Sequence, residues 1–147
     1  MKTQFASALA LMFAAACAQA QVTVKDPWIR ATVPAAKATG AFMQLQSAQD
    51  ARLIEVRSSV AGIAEIHQMA MENNVMKMQA VTGVDLPAGK PVAFASGGYH
   101  IMLMQLKRQL KEGETVPLTL VVQKKDKQLE TVEVNVAVRS LTYSPAK

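Results

Sequence analysis

Residues 115–138 read "TVPLTLVVQKKDKQLETVEVNVAV". In the first part Val116, Leu118, Leu120 and Val122 take alternate positions. In the last part Val132, Val134, Val136 and Val138 do the same, opposite Thr131, Glu133 and Asn135. A period of two puts one face of a strand in a core and leaves the other wet. The charged run between the two parts reads as a hairpin connection. Pro117 has no N–H to give a ladder, so its end of the strand is expected at an edge or a bulge.

Working outward, short apolar or alternating runs recur at 22–30, 39–47, 52–58, 63–71, 75–81, 91–95 and 99–106. Turn chemistry separates them at "SSVAG", "LPAGK" and "LKEGE". No repeat of 20–50 residues and no low-complexity segment interrupts the pattern. Many short strands closing on one core predict an all-β fold, an antiparallel sandwich or barrel. The domain is expected over 21–139, and the tail 140–147, "SLTYSPAK", is expected to be loose. Trp28 and Phe42 are assigned to the core.

The first 20 residues, "MKTQFASALALMFAAACAQA", are of another kind. Lys2 precedes an apolar run from Phe5 to Ala16, and Ala18-Gln19-Ala20 closes it. This is the pattern of a secretory leader cut after Ala20. The run is too short for the ~20 residues that span a bilayer, and no later segment is longer and apolar. Acylation of Cys17, as in a lipoprotein, is the rival reading. Ala14 stands where a leucine-like residue usually precedes such a cysteine, so cleavage is preferred. Cys17 is the only cysteine and would leave with the leader. A chain without thiols suits an oxidising compartment such as the periplasm. The net charge of +5 falls by one without Lys2. Much of it lies in "LKRQLK" and "QKKDKQ", which read as solvated turns. With few aromatics in an exported chain, nucleic acid is not an expected partner.

Both histidines of the chain lie beside methionines, in "EIHQMAMENNVMKMQAV" (65–81) and "GGYHIMLMQL" (97–106). Residues two apart on a strand share a face, so His67, Met69 and Met71 point one way. His100, Met102 and Met104 do likewise, as do Met76 and Met78. Of the methionines beyond the leader only Met43 lies outside 69–104. A strand methionine is usually packing, and Met43, Met71, Met76 and Met104 are read so when taken singly. Two histidines, each two residues from a methionine on one strand face, suggest a metal. Thioethers are soft and neutral and select Cu(I). Zinc prefers thiolate, imidazole and carboxylate. A blue-copper electron-transfer centre needs a cysteine. No nucleophile, base and orienting group can be assembled, so no enzyme is expected.

His67, Met78, His100 and Met102 form the spacing H-x10-M-x21-H-x-M. This resembles the signature of the periplasmic CuA chaperones, the PCuAC family. "VKDPWIRATVPAAKATGAFMQLQ", "LPAGKPVAFASGGYHIMLMQLKRQLKEGETVPLTLVV" and the strand at 131–138 resemble it too, so the likeness covers nearly all of 22–138. It implies a cupredoxin-like β-sandwich or barrel of Greek-key type without the blue-copper ligands. It implies one Cu(I) per chain on His67, Met78, His100 and Met102. It also implies delivery to the CuA centre of cytochrome c oxidase subunit II, alone or with a Sco-type partner. The His/Met-rich tail with a second copper site, found in some members, is absent from "RSLTYSPAK". Met69 matches no motif position but shares a face with His67, and is kept as a second-tier ligand. The protein is expected to be a monomer. Two other functions fit less well: a copper storage or resistance protein, and an adhesive or assembly domain with a methionine-rich interface.

Overall fold

A computed structural model describes residues 21–146. The leader and Cys17 lie outside the described residues. Ten strands follow in order: β1 (Val22–Arg30), β2 (Ala38–Ser47), β3 (Ala51–Ser58), β4 (Ala61–Glu72), β5 (Val75–Val81), β6 (Val84–Leu86), β7 (Pro91–Phe94), β8 (Tyr99–Leu106), β9 (Thr115–Lys124) and β10 (Leu129–Arg139). Every expected strand is present, with ends shifted by a residue or two. β6 has no counterpart among the expected strands; it is only three residues long and ends on Leu86, the first residue of "LPAGK". Among the described residues no helix is long and apolar enough to cross a membrane.

The strands form one sheet in the order β5-β4-β8-β7-β2-β1-β10-β9-β3-β6. β3 and β4 are far apart in that order, yet only Ser59 and Val60 join them. The sheet must therefore roll over on itself, and its concave face encloses the core. On β9, Val116, Leu118, Leu120 and Val122 are fully buried, and Val134, Val136 and Val138 of β10 face them. Each such side chain, once buried, stabilises the fold by about 1.5–3 kcal/mol. Pro117 pairs with Asn135 of β10, and the ladder between β3 and β9 ends at Leu118. The proline thus sits where its missing N–H costs no bond to β3.

The sheet is mixed rather than purely antiparallel. β1 runs parallel to β10, and β7 meets β8 in parallel at Phe94 and Tyr99. Reading adjacent strands as hairpins could not show these pairings, because β1 and β10 lie at opposite ends of the chain and β7 and β8, joined only by residues 95–98, run the same way. A bulge between Lys25 and Trp28, with Asp26 at a φ of 50°, adds a residue to β1. Before it, Val22 and Val24 point inward; after it, Ile29 does. The extra residue turns Trp28 to the outer face of the sheet.

Trp28 and Phe42 are buried, but not in the main core as expected. Their rings meet on the outer face, 4.5 Å apart between centroids. The chain after Arg139 covers them. Tyr143 packs edge-on against Trp28 at 4.9 Å. The Arg30 guanidinium lies 5.0 Å from the Trp28 ring and donates to the Leu141 carbonyl at 2.8 Å. Residues 141–143 of the tail thus rest on an aromatic platform and an arginine.

Candidate metal centre

The site lies on the outer face where β5, β4, β8 and β2 run side by side. Ile66 of β4 and Ile101 of β8 point into the core. Their neighbours His67 and His100 therefore point outward. The register pairs His67 with His100 and Glu65 with Met102 across β4 and β8. It pairs Met69 with Met78 across β4 and β5. Gly40 of β2 stands opposite Met102. Two histidines far apart in the chain thus become cross-strand neighbours, with ring centroids 5.7 Å apart.

Met69, Met78, His100 and Met102 line one pocket of about 270 Å³, with Gly40, Phe42, Ser96 and Gly97. His67 stands beside His100 but does not line the pocket. Met69, from the second tier, does. The structure therefore brings the five expected donors onto one outer face, four of them around the cavity and His67 beside it. Met71, Met76 and Met104 share the face without reaching the pocket. Met43 points the other way, into the core, as expected.

Each imidazole is oriented by an oxygen. His67 Nε2 donates to Glu65 Oε2 at 2.8 Å. A carboxylate only accepts, so the neutral ring carries its hydrogen on Nε2 and its lone pair on Nδ1. That Nδ1 is buried and has no hydrogen-bond partner, as a nitrogen kept for a metal would be. His100 Nδ1 donates to the Gly98 carbonyl at 3.4 Å, which leaves Nε2 with the lone pair. His100 is only 6% exposed. Its burial pushes its pKa below the usual value, helped by His67 and opposed by the Gly98 carbonyl. The ring therefore stays neutral, as a metal ligand must, further into acid.

The "SGG" loop before Tyr99 has a specific task. Gly97 has a φ of 86°, in the left-handed region that favours glycine. The turn closes with Gly98 N–H on the Ala95 carbonyl at 3.1 Å. The Gly98 carbonyl then accepts from Met69 N–H at 3.2 Å as well as from His100. One peptide thus ties the pocket's edge on β4 to its histidine on β8. Gly40 also matters, because a Cβ there would lie 2.8 Å from the Phe42 ring. Its absence lets that ring lie flat in the pocket wall, 6.4 Å from His100. Sequence spacing gave no sign of Gly40 or Phe42, whose place depends on β2 lying beside β8.

Among the described residues no three His, Cys, Asp or Glu side chains gather as a metal site. The donors here are imidazole and thioether, which suit a soft monovalent ion. Met78 is 50% exposed and sits on the edge strand β5, so one side of the pocket is open to a second molecule.

A family model described as "Putative lipoprotein LpqE-like" matches residues 22–138. The relative "Putative lipoprotein Lxx21020" of Leifsonia xyli subsp. xyli is 32% identical over 100 residues. The match takes in 67% of this chain and spans 60% of that relative's length. The solution structure of CuI-DR1885 from Deinococcus radiodurans is 30% identical, with a TM-score of 0.59. It covers 85% of this chain and 83% of its own. The apo form of DR1885 is 28% identical, with a TM-score of 0.57, over 95% and 97% of the two chains. The copper-bound PCuAC domain from PmoF2 shares the fold at a TM-score of 0.66 and 22% identity, over 82% and 94%. The architecture is thus that of PCuAC domains, a cupredoxin-like β fold. By the match over 22–138, the chain belongs to the LpqE-like lipoprotein family.

Proposed function

We propose that this protein is an exported Cu(I) carrier of the PCuAC kind. It holds one Cu(I) per chain and passes it to the CuA centre of cytochrome c oxidase subunit II, directly or through a Sco-type partner. The observation that carries this reading is the convergence of Met69, Met78, His100 and Met102 on one open pocket with His67 beside it. The copper named in the CuI-DR1885 and PmoF2 structures supports it. All these donors are neutral, so they leave the ion's charge uncompensated and bind it releasably. An acceptor with thiolates, such as a CuA centre, is downhill. The half-exposed Met78 gives such an acceptor a side from which to displace a ligand. The protein acts as a monomeric carrier, not as an enzyme.

The direct test is anaerobic transfer of Cu(I) from the loaded protein to apo subunit II. Copper retained against that acceptor would instead favour storage. The protein works in the periplasm, free after cleavage at Ala20; acylation at Cys17 is the other form. The mass of the mature N-terminus separates the two.

Metal preference follows from the donor set. Zn(II) is expected to bind much more weakly than Cu(I), because the pocket supplies thioethers and no thiolate. Competition by an equal amount of Zn(II) would contradict a soft site. Affinity is also expected to fall with pH, since protons compete for a ligand imidazole. A histidine of ordinary pKa, ~6.5, loses about tenfold in available neutral form between pH 7.5 and 5.5. Two such ligands would lose about hundredfold over that range. Burial lowers the pKa of His100, so its share comes at lower pH. The expected fall is therefore measurable but less than about hundredfold. Competition with a pH-calibrated Cu(I) chelator, without oxygen, measures it. A profile that stays flat even further into acid would remove both histidines from the ligand set.

A further inference from the structure

The hairpin of β4 and β5 carries more methionine than the pocket uses. Half of the exposed large apolar side chains among the described residues are Met71, Val75, Met76 and Met78. Met71 is 65% exposed and Met76 48%, so neither is packing in a core. Asn73 and Asn74 both have positive φ, 51° and 63°. This is the two-residue type I′ connection, and it sets the register of everything behind it.

Glu72 and Val75 close the turn, so the next pair, Met71 and Met76, is a non-hydrogen-bonded pair. Met69 and Met78 form another such pair two residues further in. The Met69 N–H accordingly turns away from β5 and bonds to Gly98. In pairs of this kind the opposed side chains approach most closely. All four methionines share one face, in two rungs about 6.6 Å apart along the strand. The charged Glu72 and Lys77, 3.3 Å apart, belong to the opposite face. The methionine face of the hairpin tip is thus soft and uncharged, and it leads to the pocket.

We propose that Met71 and Met76 form a second, outer site for a soft monovalent cation, from which the inner pocket is loaded. The identity of its cargo as Cu(I) rests on the function proposed above; the site itself does not. Two thioethers without imidazole bind more weakly than the inner donors, so an ion moves inward.

Ag(I) is a soft monovalent probe with no redox chemistry under these conditions. It is titrated into the full mature chain carrying 13C-methyl methionine. The first equivalent is expected to shift the methyls of Met78 and Met102. The second should shift Met71 and Met76 together, on one weaker isotherm, with Met43 unmoved. Met71→Leu should weaken the Met76 response by about tenfold or more, because a chelating partner is lost. Loading of the inner site from a Cu(I) donor should slow several-fold in Met71→Leu/Met76→Leu. Methyls of Met71 and Met76 that stay still would overturn the site. So would Met76 titrating alike in the native protein and in Met71→Leu. An unchanged loading rate would overturn the relay. Failure of the first equivalent to move Met78 and Met102 would instead strike the inner-site reading and leave the outer pair standing.

Discussion

His100→Ala is expected to weaken Cu(I) binding by at least about hundredfold. Loss of a mere outer partner of a metal ligand typically costs about 10–100-fold, and His100 would contribute a donor atom itself. It is 6% exposed, its Nδ1 is engaged by Gly98, and the remaining nitrogen belongs to the ring that lines the pocket. Alanine leaves a gap there with no substitute donor. Met102→Ala, Met78→Ala and His67→Ala should each weaken binding in the same assay, anaerobic competition against a calibrated chelator. Circular dichroism should show an intact sheet in each, most simply in Met78→Ala, where the side chain is half exposed. Met69→Ala belongs in the set because Met69 lines the cavity and His67 stands at its edge. Loss on His67→Ala but not on Met69→Ala would support the orphaned Nδ1 as a donor. Native affinity in His100→Ala would defeat the assignment of the whole site.

Met43→Ala should do the opposite, costing about 2–5 kcal/mol of stability and sparing Cu(I) affinity. Met43 is 4% exposed, lies between Ala41 and Leu45 on the inner face of β2, and stands in register with Phe94 of β7. Truncation there opens a cavity in a rolled sheet with little freedom to collapse. Denaturant unfolding of the apo protein measures the loss. A change below about 0.5 kcal/mol would mean that the site repacks. Loss of copper binding with native stability would place Met43 at the metal, against its direction in the fold. His100→Ala and Met43→Ala together separate a methionine-flanked site from methionine used as packing.

The strand pattern was legible because alternation is a local property. Val116 to Val122 and Val132 to Val138 each carry the period that decides which side is buried, and the structure buries those sides. The donor types were legible too, since thioether and imidazole without cysteine restrict the metal whatever the fold. The two-residue turn at Asn73 and Asn74, which strand periodicity does not mark, sets Met69 opposite Met78. Short β6 fell below the length at which periodicity can speak.

By itself the sequence determined an all-β chain in which each histidine shares a strand face with methionines. Those properties depend on each residue's neighbours two positions away. Only the tertiary structure decided that His67 stands beside His100 and that Met69 joins the cavity. It also placed Gly40 and Phe42 in the pocket wall and bound the tail over Trp28. These contacts cross strands brought together by the roll of the sheet. The bulge at Asp26 and the parallel pairings of β1 with β10 and β7 with β8 set which faces coincide. A shift of one residue in any of them moves a side chain to the other face, and no local pattern in the chain records such a shift.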